Sequence, residues 1–183
     1  MLLIFGLYGG QCNVTLSDNN LNSWSAPSEL VGSVFPVWYA SNCNAGSTTL
    51  TFTADTEGNT LVAGTLRIIY LEITGVEASN PLDSMAVYSG GSSLDVTTAN
   101  ATDLIVAFCA GIITGTGTAI TVGPESTLAF TDNVALSSPP IVGSVTVLAE
   151  YQTTTAAGTF TSTCVPAVGA QGDVLIVTAF KLS

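Results

Sequence analysis

Histidine is absent from this 183-residue chain, and the basic residues are reduced to two, Arg67 and Lys181. Each shortage removes a class of function. Without imidazole there is no Ser-His-Asp or Cys-His nucleophile system, and a Ser-Lys dyad would hang on Lys181, at a poor place for a preorganised base. Two cations cannot displace the counterions along a phosphate backbone, so nucleic acid is excluded as a partner. Anionic membrane surfaces are disfavoured for the same reason. The four cysteines, Cys12, Cys43, Cys109 and Cys164, include no CxxC pair, and without histidine they offer no structural zinc set. Gly111–Gly117 lacks the lysine of a phosphate-binding loop. Nor is there a helical i, i+3, i+4 pattern of useful length anywhere in the sequence.

What is present is apolar and neutral. Hydrophobic residues make up 47% of the chain and charged ones 8%, where about 25% is usual for a globular protein. The surface is therefore a coat of Ser, Thr, Asn, Gly and Ala. Such a coat is cheap to desolvate and suits either subunit packing or service outside cells. The charge that remains is acidic, a net of −11. Long runs of strand-forming residues recur: Leu2–Phe5, Leu66–Thr74, Leu104–Phe108 and Val174–Val177. Turn clusters such as Ser17-Asp18-Asn19-Asn20, Asp55–Asn59, Asn80–Asp83 and Asp132-Asn133 separate them at all-β spacing. Met1–Tyr8 has neither a basic region nor a small-residue cleavage site, so it is expected to be the first strand rather than a signal peptide. A chain that opens inside a strand points to sequence upstream.

The chain also echoes itself. Asp103–Gly111 lines up with Met1–Gly9, Val147–Thr163 follows the stretch 112 residues earlier with Tyr151 on Tyr39, and Asp173–Lys181 echoes Gly64–Glu72. A period of roughly 100–110 residues is too long for a solenoid and fits two halves of one sandwich. The expected fold is thus all-β, one antiparallel two-sheet sandwich of jelly-roll type over residues 1–183, with halves at about 1–75 and 85–183. Leu66–Thr74 is expected to lie centrally in its sheet, with Glu72 near a rim. The second half carries two strands, Met85–Tyr88 and Leu94–Thr98, that the first lacks. One edge of the first half is then missing its partner, which a strand from upstream or from a neighbouring subunit could supply.

The combination of Tyr70–Val76 with Asn80–Asp83, then Asp103–Phe108, then Leu148–Tyr151 with Ala157–Phe160, resembles a poorly characterised β-sandwich domain of bacterial secreted proteins and phage virion proteins. The resemblance implies an extracellular or virion-surface location and other protein subunits as partners, with no catalytic residues and no cofactor. The reading that follows is a non-enzymatic structural or adhesive subunit. Its rival is a carbohydrate-binding module using Trp24, Trp38 and Tyr39, with Tyr8 as a further aromatic face; Trp24, in a polar loop, is the one expected to be exposed. Weaker still is a glycosidase using Glu72 and Glu150, each of which interrupts an apolar strand. Asp18-Asn19-Asn20, Asp55–Asn59 and Asp132-Asn133 carry oxygen ligands, but none has EF-hand spacing and such turns have their own hydrogen-bonding reasons to exist, so no metal is assigned. Cys12 and Cys43, in loops rich in Gly and Asn, could form a disulfide, whereas Cys109 and Cys164 fall at strand positions that suit buried thiols equally well.

Overall fold

A computed structural model describes residues 1–7, 13–26, 36–44, 46, 49–55, 67–89, 93–113, 126–136, 143–163 and 170–183. Among them there are twelve strands and no helix, and every strand pairing is antiparallel. Two compact units divide the chain, Met1–Pro81 and Leu82–Ser183.

The first unit contains β1 (Leu2–Leu7), β2 (Asn13–Asp18), β3 (Val37–Ala40), β4 (Leu50–Asp55) and β5 (Arg67–Glu72). They form a three-stranded sheet in the order β3-β1-β5 and a separate pair, β2-β4. Leu2, Leu3, Ile4 and Phe5 are all buried. A strand covered on both faces needs such an unbroken apolar run, and that run is why β1 takes the middle position. Period-two alternation and the registers put Leu3, Phe5, Val37 and Ile69 on one face and Ile4, Trp38 and Tyr70 on the other. The Phe52 ring of β4 meets Trp38 edge-on, with centroids 5.8 Å apart at 64°, so the β2-β4 pair lies over the second face.

In the second unit, β6 (Leu82–Ser89), β8 (Asp103–Ile113), β9 (Thr127–Leu136), β10 (Gly143–Thr153) and β12 (Ala170–Lys181) form one sheet in the order β6-β12-β8-β10-β9. A second pair joins β11 (Gly158–Thr163) to β7 (Ser93–Thr98). The core gathers Ile105, Ala107, Cys109, Leu148, Leu175, Val177 and Ala179 from one face of the large sheet, with Val96, Leu94 and Phe160 of the pair packed against them.

The two units share a plan. In each, a central strand is flanked by the second and the fourth strands after it: β3-β1-β5 and β10-β8-β12. Phe5 lies opposite Val37 and Ile69, and Phe108 lies opposite Ala149 and Ile176. With Phe5 set on Phe108, Tyr39 falls on Tyr151 and Ile69 on Ile176. Sequence comparison alone sets Phe5 on Ala107 and Ile69 on Thr178, so the registers move those two alignments by a short slip. Each small pair also carries the same three residues, Thr51-Phe52-Thr53 in β4 and Thr159-Phe160-Thr161 in β11, and each phenylalanine packs inward.

Two expectations need correction. β5 is not central: among the described residues it pairs only with β1 and forms the sheet's edge. Its counterpart β12 is central because β6 has been added beside it, so repetition of the plan does not require β5 to be covered. Asp132 and Asn133 form no turn; they pair with Val147 and Thr146 inside β9. β9 itself goes unread in the sequence, because Asp-Asn in mid-strand imitates a turn signal.

Candidate functional site

The aromatic candidates are brought together at one corner of the first unit. Ser25 bridges Tyr39, with reciprocal backbone bonds of 2.8 and 2.9 Å, which sets Trp24 beside the end of β3. The corner is organised by Asp18, the last residue of β2, which is 8% exposed. Its Oδ1 accepts the backbone N–H groups of Asn20 at 2.7 Å and Asn22 at 3.3 Å, and its Oδ2 accepts the Trp24 indole N–H at 2.5 Å. Desolvation works to raise the Asp18 pKa, but the bonds from Trp24, Asn22 and Asn20 outweigh it and hold the carboxyl below its ordinary value.

Asparagines extend this network. Asn19 Oδ1 accepts the Thr49 N–H at 2.5 Å, Asn22 Oδ1 accepts the Asn44 N–H at 2.8 Å, and the Asn44 side chain donates to the Asn20 carbonyl at 2.7 Å. These bonds tie the turn after β2 to the chain between β3 and β4. The oxygens that sequence offered to calcium at Asp18-Asn19-Asn20 are therefore committed to N–H donors, which is a structural use.

The aromatic candidates differ in exposure. Trp38 is buried and packed on Phe52, so neither of its faces is open. Trp24 and Tyr39 are half-buried, and Tyr8 lies outside the described residues. Two aromatics outside the sequence candidates are open, Tyr70 on β5 at 42% and Tyr151 on β10 at 40%. Burial, then the neighbouring Glu72, pushes the Tyr70 phenol pKa up.

Glu72 and Glu150 have opposite surroundings and fall in different units. Glu72 is exposed at the end of β5. Glu150 is 0% exposed on the face of β10 that Leu148 shares with the core, at the place corresponding to Trp38 in the first unit. A carboxylate so enclosed meets no glycan.

The disulfide expectation is also corrected. Cys43 is a free thiol whose Sγ donates to the Ala40 carbonyl at 2.9 Å, just beyond β3. Cys12 and Cys164 lie outside the described residues. Cys109, one of the two suggested as buried free thiols, is disulfide-bonded.

The edge of β5 completes the inventory. Met1 and Ile73 exchange backbone bonds of 2.7 and 2.9 Å, and an antiparallel ladder alternates bonded and non-bonded pairs. Ile69 and Leu71 therefore bond inward to β1, while Ile68, Tyr70 and Glu72 turn their backbone N–H and C=O groups outward. No strand takes them among the described residues. At the same place in the second unit, β6 pairs with β12 from Val174↔Ser89 to Phe180↔Leu82.

No family model, no characterised protein and no solved structure matches this chain.

Proposed function

We propose that this chain is a non-enzymatic structural or adhesive subunit of an extracellular or virion assembly, built from two homologous β-halves that pack as a two-sheet, jelly-roll-like sandwich and joined to neighbouring subunits through its sheet edges. The observation that carries the reading is the outer edge of β5. A row of outward backbone groups at Ile68, Tyr70 and Glu72 is a template for another strand, and β6 fills the corresponding place in the second unit. The occupant is β5 of a second copy. Antiparallel self-pairing about Tyr70 uses one surface twice and closes as a two-fold dimer. A chain with 8% charged residues has few charges to desolvate on its surface, which favours such packing.

Light scattering coupled to size exclusion tests the proposal. The chain should be a dimer or larger at high concentration, and Tyr70→Pro should make it monomeric. Proline at that position removes an outward donor and leaves the inward bonds of the β1–β5 ladder in place, so the far-UV circular dichroism of the folded chain should match the parent. A strict monomer overturns the assembly reading. A dimer untouched by Tyr70→Pro overturns the role of β5.

A further inference from the structure

A second carboxylate cluster lies in the second unit, away from every residue that sequence reading assigned to a site. The turn Ala99–Thr102 joins β7 to β8 and crosses the start of β6. Asp83 of β6 holds this turn: its Oδ2 accepts the N–H groups of Ala99 at 2.7 Å and Asn100 at 3.3 Å. Asp103 opens β8, and its backbone is fully tied to Thr154. Its N–H donates to the Thr154 Oγ1 and its carbonyl accepts the Thr154 N–H, both at 2.9 Å.

The Asp103 side chain is in a different position. It is 0% exposed, and neither carboxylate oxygen accepts a hydrogen bond. The Asp83 carboxylate stands beside it, with the side chains of Thr98 and Asn100. Lys181 is the residue opposite Asp103 in the β8–β12 register. A carboxyl group out of water beside a second, half-buried one calls for a positive charge or a proton between them.

We propose that Asp83 and Asp103 bind a calcium ion, with the side-chain oxygens of Asn100 and Thr98 completing the shell. No three His, Cys, Asp or Glu groups converge among the described residues, so amide and hydroxyl oxygens have to supply the rest. Every candidate ligand is a hard oxygen, which selects a hard cation over zinc or copper. An irregular set of carboxylate, amide and hydroxyl suits calcium, whereas magnesium demands a near-octahedral shell and retains its waters. The ion would clamp three segments at one point: the first turn of chain in β6, the β7–β8 connection and the start of β8. A sensitivity in the millimolar to submillimolar range, as for extracellular modules, follows from having only two charged ligands. The two rival occupants are a proton shared by the carboxyls and the ammonium of Lys181.

The test is calorimetric calcium titration of the chelator-stripped full chain at neutral pH, with thermal unfolding followed in parallel. One calcium per chain should bind, and saturation should raise the thermal midpoint by roughly 5 °C or more. Asp103→Asn and Asp83→Asn should each abolish both effects, while Lys181→Gln should preserve them. Without calcium, Asp103→Asn should be at least as stable as the parent, since the amide removes a buried charge. That comparison separates loss of the ion from loss of the fold. No heat and no thermal shift in the parent chain overturns the proposal. So does a calcium effect that survives in both Asp variants, or one that depends on Lys181.

Discussion

Asp18 and Asp103 are both enclosed carboxylates, and their surroundings push them in opposite directions. Asp18 collects three N–H donors and its pKa is lowered despite desolvation. Asp103 is desolvated and faces Asp83, so its pKa is raised, with the side chains of Thr98 and Asn100 working the other way. The consequences for stability have opposite signs. The contribution of Asp18 is present above its unfolded pKa of about 3.9 and is lost as pH falls through the lower folded value. Trp24→Phe keeps the ring but removes the indole donor, so acid unfolding followed by circular dichroism should begin at higher pH than in the parent. For Asp103 the native state binds the extra proton. Without a cation, stability should decline as pH rises from the unfolded pKa through the raised folded one, and Asp103→Asn should flatten that limb of the profile. The first of these residues is legible in sequence, because Asp-Asn-Asn after a strand is a recognisable side-chain turn. The second is not, since nothing local marks an aspartate before an apolar run as lying beside another carboxylate twenty residues earlier.

At the scale of strands, what the sequence encodes well is which segments are extended and what it encodes poorly is their neighbours. The runs at Leu2–Phe5, Leu104–Phe108 and Val174–Val177 all become buried strands, because continuous apolar residues fit a strand covered on both faces. Whether such a run lies at an edge depends on a partner far away in the chain. β5 and β12 hold corresponding places, yet among the described residues only β12 has a strand on its outer side. The energetic difference follows burial. Ile176, on β12, is 0% exposed between its partners Phe108 and Val87. Ile176→Ala should therefore cost about 2–5 kcal/mol in urea unfolding, the transfer of the lost methyl groups plus the cavity they leave. Thr161 makes a hydrogen bond of 2.6 Å to Asp95, but on an exposed surface where water replaces it. Thr161→Ala should change stability by less than about 1 kcal/mol. A short bond at the surface is worth less than methyl groups in the core, and finding the reverse order would show that the β7-β11 pair carries more of the fold than its exposure suggests.

For the whole molecule, the two units are unequal versions of one plan, and their capacity for independent folding should differ accordingly. Leu82–Ser183 holds a five-stranded sheet whose central strands are paired on both sides, a two-stranded partner and a common apolar cluster. Met1–Pro81 holds three strands and a pair, and the edge of β5 is open among its described residues. Three strands with an apolar face are near the lower limit for a sheet stable by itself, and an open edge favours association over solubility. Expressed separately, residues 82–183 should unfold cooperatively on heating and remain monomeric, keeping the calcium response proposed for Asp83 and Asp103. Residues 1–81 should be less stable and should self-associate in sedimentation, with Tyr70→Pro reducing the association. If residues 82–183 show no cooperative transition, the two units do not fold separately, and the repeated strand order reflects a shared origin without independent stability. The strand β6 decides between these outcomes: it is the first element of the second unit, it has no counterpart among the described residues of the first, and it covers the side of β12 that corresponds to the outer side of β5.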